Sequence, residues 1–274
     1  MREIVLKLVS DVRFPVDGAS ISPDVFAGKS VEMIKRLSIL VGNREKRLSD
    51  IFQVSGEVAD SVSDQGIVLA GNVGSFRGIG KGMSGGVIAS DGDAGFNIGE
   101  EMSGGKITMK GSVGRGAGTS MKGGLIEVHG NAGDQIGGSY RGTGKGMSGG
   151  SIVVHGNAGY ELGSCMQGGF ICVAGKVGQF AGVRMRGGEI LIEGSSEGRL
   201  GADMFGGKVV VLGRVPDILP SFTFEEVRNR ATAGDKAFKG NFYLFRGDLN
   251  EGGSGRLFVS ADANVHLKYY EKFV

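Results

Sequence analysis

The chain has 274 residues, enough to bury a sizeable core, with 54 glycines and a formal net charge of +2 from 31 basic and 29 acidic residues. So even a balance gives no electrostatic reason for nucleic-acid binding, and no apolar run is long enough to span a membrane. Residues 1–11 (MREIVLKLVSD) are too short and too charged for a secretory leader, so the expected location is cytoplasmic, and the two cysteines, Cys165 and Cys172, offer neither a disulfide framework nor zinc spacing.

Residues 1–64 carry no repeat. Residues 4–9 read as a strand, Ser30 as the N-cap of a short helix through Val31, Met33, Ile34 and Leu37, and Leu48, Ile51, Phe52 and Val54 as a second apolar cluster. A stack of strands leaves its end strands unpaired, which invites edge-to-edge association. Residues 1–64 are therefore assigned as an N-terminal cap.

Gln65-Gly66 opens a degenerate unit, and seven double glycines then fall in register: Gly85-Gly86, Gly104-Gly105, Gly123-Gly124, Gly149-Gly150, Gly168-Gly169, Gly187-Gly188 and Gly206-Gly207. The steps between them are 19, 19, 26, 19, 19 and 19 residues. Around each pair recurs a GXGXG-type unit, Met-x-Gly-Gly-x-Ile-x-Val-x-Gly-x-Ala-Gly-x-x-x-Gly, as in residues 121–137 (MKGGLIEVHGNAGDQIG). After each double glycine apolar residues alternate, as in Ile126 and Val128 or Ile152 and Val154, which is strand periodicity. Short strands bounded by glycine corners at a fixed period predict a stacked repeat. The fold class is all-β: a single-stranded parallel, right-handed β-helix of about 7–8 coils over residues 65–213, with N- and C-terminal caps. Met83, Met102, Met121, Met147, Met166, Met185 and Met204 occupy one position of the unit and are expected to fill one interior corner, as flexible unbranched side chains do.

One departure is large. The unit beginning at Met121 carries seven extra residues within 138–145 (GSYRGTGK), bearing Tyr140, Arg141 and Lys145. Solenoid insertions map to surface loops, often on the binding face, so this loop is a candidate partner contact. It lacks the strand-loop-helix setting and Gly-Lys-Ser/Thr ending of a phosphate loop.

Two outward columns follow from the register. Val68, Ala89, Thr108, Glu127, Val153, Cys172, Leu191 and Val210 share one position, and the second half of that column is an apolar stripe. Either the C-terminal segment covers it or a partner protein does, which makes Val153, Leu191 and Val210 candidate contacts. The other column puts His129 and His155 on adjacent coils; lacking a third ligand, they read as a solvated or interface ladder rather than zinc. Asp91, Glu127, Glu161 and Glu193 are spread over different sides and coils, so no nucleophile, base or metal constellation stands out.

After Gly213 the repeat ends. In residues 214–274, Ser221 or Thr223 is expected to cap a short helix through Phe224, Val227 and Arg230, followed by strands at 242–245 and 257–259. This segment reads as a C-terminal cap and docking element.

The repeat Gly-Gly-x-Ile-x-Val-x-Gly-x-Ala-Gly, the segment at residues 22–30 (SPDVFAGKS) and the inserted Ser139-Tyr140-Arg141-Gly142 ahead of residues 146–150 (GMSGG) resemble the C subunit of formylmethanofuran dehydrogenase. The repeat portion is also similar to the C-terminal domain of glutamate synthase large subunits. The resemblance to the dehydrogenase implies a scaffold without catalytic, cofactor-binding or metal-binding residues of its own, in an oxidoreductase complex of methanogenesis that reduces CO2 and transfers the formyl group to methanofuran. It implies partner subunits of three kinds: molybdopterin-containing with molybdenum or tungsten, amidohydrolase-like with a divalent metal, and ferredoxin-like with Fe-S clusters. Two alternatives are a structural subunit of a related formyltransferase/hydrolase complex and a module that binds a methanofuran-like polyanion.

Overall fold

The computed structural model of the chain describes residues 1–10, 12 and 14–273. It opens with β1 (Arg2–Leu8), β2 (Val16–Asp17), α1 (Pro23–Phe26), α2 (Val31–Lys35), β3 (Ser38–Val41), β4 (Arg44–Arg47) and β5 (Phe52–Gly56). The repeat region holds β6 (Gln65–Ala70), β7 (Phe76–Arg77), β8 (Val87–Ser90), β9 (Lys106–Met109), β10 (Leu125–Val128), β11 (Ser151–Val154), β12 (Phe170–Val173), β13 (Glu189–Ile192) and β14 (Lys208–Val211). Then come β15 (Thr223–Ala233), β16 (Lys236–Gly247) and β17 (Gly255–Ser260). No helix among the described residues is long and apolar enough to cross a membrane.

The fold is mostly β, dominated by one large sheet in which β6 and β8 to β14 lie parallel and in chain order. The register places Ile67, Ile88, Ile107, Ile126, Ile152, Ile171, Ile190 and Val209 opposite one another in turn. All are buried to within 1%. A second ladder of parallel bridges runs Val73, Ala94, Val113, Ala132, Ala158, Val177 and Ser196. Ile79, Ile98, Ala117, Ile136, Leu162, Ala181 and Leu200 are buried in the same core, and so, fully, are the seven methionines.

The double glycine is explained by what stacks against it. A Cβ on Gly123 would lie 2.4 Å from the Ser103 carbonyl oxygen of the preceding turn. Gly124, at φ +87°, would place one 2.7 Å from both the Gly105 carbonyl oxygen and the Met102 Cε. The first glycine therefore permits close backbone stacking, and the second both adopts the left-handed turn and leaves room for the methionine below. Methionine and glycine recur together because one fills the space the other vacates.

The corner after each strand carries a ladder of its own. Ser112 N–H donates to Asp93 Oδ1 at 2.7 Å, Asn131 N–H to Ser112 Oγ at 3.0 Å, Asn157 N–H to Asn131 Oδ1 at 2.8 Å and Lys176 N–H to Asn157 Oδ1 at 2.8 Å. Short polar side chains here satisfy backbone donors of the next turn that no strand can reach.

Both ends continue the sheet and then turn it back. β1 pairs in parallel with β6, placing Ile4 opposite Ile67 and Leu6 opposite Leu69, and β5 adds antiparallel outside it. Ser30 caps α2, its side chain accepting from Met33 N–H. At the other end β17 pairs in parallel with β14, with Leu257 opposite Val209, and β16 and β15 follow antiparallel. The helix expected through Phe224, Val227 and Arg230 is instead β15, half of a long hairpin. Local sequence is outvoted there by pairing with β16 and by Ala231 and Ala233, which alternate inward at period two to pack on the main sheet.

Candidate functional site

The inserted loop leaves the stack without disturbing it. In ordinary turns the methionine N–H donates to the glycine carbonyl three residues earlier, as Met121 does to Gly118 at 3.1 Å and Met166 to Gly163 at 3.1 Å. In the long turn Met147 N–H makes the equivalent bond to Gly137, at 2.9 Å, across the whole insertion. Ser120 N–H donates to Gly138 O at 3.0 Å, Gly146 N–H to Cys165 O at 3.0 Å, and Ser120 Oγ to Lys145 O at 2.9 Å. The loop base is thus fastened to the turns before and after it, and Thr143 N–H closes a tight turn on Tyr140 O at 3.2 Å.

Between the loop and the corner of the following turns lies an open cleft of about 680 Å³. Tyr140, half-buried, and Arg141, exposed, form one wall; Lys145 is exposed and does not line it. The facing wall is Gln135, Glu161, Phe180, Cys165, Arg184 and Asp203. All six have left-handed backbone, with φ between 56° and 67°. A non-glycine residue pays roughly 1 kcal/mol for that conformation. Asn97, Glu101 and Ser120 share it in earlier turns, so the strain belongs to the corner geometry, and the loop lies across that corner. The wall is polar and internally tied: Gln135 Nε2 donates to Glu161 Oε2 at 2.7 Å, Arg115 Nη2 donates to Gln135 Oε1 at 3.2 Å, and Arg184 Nε lies 3.4 Å from Asp203 Oδ2. Chemically it offers hydrogen-bonding groups of both signs and one aromatic face, a surface suited to a polar protein contact.

The apolar stripe is covered from within the chain. Cys172, Leu191 and Val210 pack against Ala231, Ala233 and Phe242 of the β15–β16 hairpin, and Leu191 and Val210 are fully buried. One ion pair and one hydrogen bond hold the hairpin down, Lys236 Nζ to Glu193 Oε1 at 2.8 Å and Gly234 N–H to Glu189 Oε2 at 2.7 Å, and Glu189 is itself paired within the main sheet to Lys208 Nζ at 2.9 Å. As candidate partner contacts, Leu191 and Val210 are corrected to hairpin core: the apolar surface that covers them is in the same chain. Val153, partly buried, lies at the margin of that cover. Burial pushes the Cys172 thiol above its ordinary range, against the opposing pull of Lys236.

The histidine ladder is less bare than its column implies. His129 and His155 stack with ring centroids 4.8 Å apart and planes 17° from parallel. Glu127 lies between them, with Oε1 3.3 Å from His155 Nε2 and 3.9 Å from His129 Nε2, while Oε2 meets Lys106 Nζ at 2.9 Å. The Lys106 hydrogen bond first, then the one from His155, hold the Glu127 carboxyl below its ordinary range. The third group that the histidine column lacks is therefore supplied by its neighbour. The signal was there: Glu127 is two residues before His129, which directly follows β10, so period-two alternation puts both side chains on one face.

No protein-family model matches the chain. Over 93 residues it is 42% identical to the C subunit of the tungsten-containing formylmethanofuran dehydrogenase 2 of Methanothermobacter marburgensis, covering 34% of each protein. Over 99 residues it is 39% identical to the C subunit of the molybdenum-containing formylmethanofuran dehydrogenase 1 of Methanosarcina barkeri, covering 35% of this chain and 32% of that one. The matched stretch thus spans about a third of the curated relatives. Structural likeness reaches much further. One chain in the crystal structure of the formyltransferase/hydrolase complex (FhcABCD) from Methylorubrum extorquens, in complex with methylofuran, superposes with a TM-score of 0.83 and 31% identity over 94% of this chain and 99% of that one.

Proposed function

The chain belongs to the family of formylmethanofuran dehydrogenase C subunits, and on that footing we propose that it is the non-catalytic scaffold of a cytoplasmic complex that reduces CO2 and passes the formyl group to a furan-bearing carrier. The observation that carries this reading is the unbroken register of the sheet, in which one strand position of every turn from β6 to β14 sets an isoleucine, or in the last turn Val209, on its counterpart in the turn before. Such a body bends little, because each of the strands β6 and β8 to β14 is paired on both sides and their inward residues are buried. Two active sites that must hand over an intermediate need a fixed separation, and a stiff prism supplies one. We read it as a right-handed β-helix of about seven to eight coils over residues 65–213, in keeping with the strong right-handed preference of parallel crossovers. Residues 1–64 and 214–274 are its caps.

The partners in this reading are a molybdopterin-containing subunit, an amidohydrolase-like subunit and ferredoxin-like subunits, which carry the redox and condensation chemistry. The donor set of this chain does not fit a pterin-bound metal, since its two thiols stand in different settings, Cys165 on the cleft wall and Cys172 under the hairpin. The Tyr140-Arg141 loop and the polar corner facing it form the docking edge. Replacing both residues with alanine in the assembled complex tests this. Loss of a partner protein on co-purification is expected; full assembly with full activity removes the loop from the docking edge.

The superposition on a chain of the formyltransferase/hydrolase complex favours a second reading, in which the same scaffold serves a complex without a molybdopterin partner. Metal and pterin analysis of the co-purified complex separates the two. Molybdenum or tungsten in stoichiometric amount supports the dehydrogenase, and their lack with a formyl-transferring activity supports the second.

A further inference from the structure

We infer that Glu127, His129 and His155 form a divalent transition-metal site that staples together the two strands flanking the long turn. Glu127 projects from β10, the strand that enters the 26-residue turn, and His129 directly follows it, as His155 directly follows β11, the strand that leaves the turn. Their donor atoms all lie within 4.8 Å of one another. A tetrahedral zinc ion with bonds near 2.0–2.1 Å holds its donors about 3.3 Å apart. The Glu127–His155 separation of 3.3 Å already has that value; the Glu127–His129 separation of 3.9 Å must close, and the two exposed rings, 17° from parallel, must turn about χ2 so that both lone pairs converge on one ion.

The donor chemistry fits borderline cations such as Zn²⁺, Ni²⁺ or Cu²⁺, for which two imidazoles and a carboxylate are a common set. Both imidazoles are half exposed, which leaves the fourth position to water. Glu127 need not abandon Lys106 to bind: Lys106 holds Oε2, and Oε1 is the oxygen shared by the two histidines. A carboxylate anchored through its other oxygen is a positioned ligand, as outer-shell hydrogen bonds to metal ligands usually are. Strand pairing fixes the rest, because His129 and His155 occupy equivalent places in adjacent turns.

The staple has a structural purpose that an ordinary turn would not need. The chain makes its longest excursion between these two strands, and the metal would tie its two ends across the outer face of the sheet. None of this depends on the identity of the surrounding complex.

The full chain, free of any added histidine tag and stripped with chelator, can be titrated calorimetrically with Zn²⁺ alone and melted with and without it. One ion per chain is expected, with affinity weakened about tenfold or more by Glu127→Gln, His129→Gln or His155→Gln. His266→Gln removes the only other histidine, whose Nε2 lies 3.2 Å from Pro216 O, and Cys165→Ser removes the cleft thiol; both should leave binding unchanged. A zinc-dependent rise in melting temperature should disappear in the His155→Gln chain. Unsaturable binding, or binding that survives His155→Gln, would overturn the site. Saturable binding without a rise in melting temperature would overturn the staple.

Discussion

The Cε methyl of Met121 lies beneath Gly150 of the next turn, where an added Cβ would sit 2.8 Å from it and 2.7 Å from the Gly124 carbonyl oxygen. Gly150→Ala should therefore destabilise the chain by about 3 kcal/mol, combining a left-handed backbone with a contact that the sheet cannot relax. Gly142 has nearly the same backbone, φ +85° against +82°, but nothing within 4 Å of its notional Cβ. Gly142→Ala should cost only about 1 kcal/mol. Urea unfolding of the two variants measures strain and stacking apart, and equal losses would refute the stacking contribution.

Asparagines at two depths should differ as sharply. Asn131 is exposed and gives one acceptor to Asn157 N–H, so Asn131→Ala should cost about 1 kcal/mol, with water taking the vacated donor. Asn264 is fully buried and makes three hydrogen bonds, accepting from Val215 N–H at 2.8 Å and donating to Gly213 O at 3.0 Å and Ser260 O at 2.9 Å. Asn264→Ala should cost about 3 kcal/mol or more, because buried partners are left unpaired. Comparable losses in denaturation would mean that the C-terminal connection is wetter than its burial shows.

The hairpin over β12 to β14 gives a chemical readout. Leu191→Ala should cost about 3 kcal/mol through a cavity that the stacked turns cannot close. Phe242→Ala should lift the cover from Cys172 and allow its alkylation. In the unmodified chain Cys165, half-buried on the cleft wall, should label first, while Cys172, buried and with its thiol held protonated, should label slowly. Mass mapping of alkylated peptides over time checks both statements. Early labelling of Cys172 in the unmodified chain would show that the hairpin opens readily.

Alkaline pH should loosen the C-terminal tail. Burial first, then a hydrogen bond with Tyr269, push the Tyr270 phenol up to about 12. An unfolded phenol titrates near pH 10, so the folded chain holds this proton more tightly. That stabilisation is complete below about pH 10 and is lost as pH rises toward about 12. Melting temperature should fall across this window, less steeply in Tyr270→Phe. Tyrosinate absorbance would show whether the loss tracks ionisation, and an identical slope in the variant would place the alkaline lability elsewhere.

The parts of the fold legible in the sequence were those fixed by repetition. Ile126, Ile152 and Ile171 could be placed opposite one another from spacing alone, and the methionines recurred in step with them. The hairpin of β15 and β16 was not legible, since its pairing depends on two segments compared with each other and on Ala231 and Ala233 meeting a surface formed by strands well upstream in the chain. The polar corner ladder through Asp93, Ser112, Asn131 and Asn157 stood in plain periodic view, yet its meaning lay in backbone donors of the next turn. Of the candidate contacts, Tyr140 and Arg141 came together with a cleft, whereas Leu191 and Val210 went to the interior because an outward strand position says nothing about what later folds over it.

The bond from Met147 N–H to Gly137 O has a consequence for how such a chain can vary. Because the bond that closes each turn is the same in the short turns and in the long one, loop length at that corner is a free variable, uncoupled from axial register. Relatives could acquire, lose or exchange a loop there without repacking a single core residue. An unrelated peptide grafted between Gly138 and Gly146 would be displayed beside the paired strands β10 and β11, with its ends held at one fixed spacing.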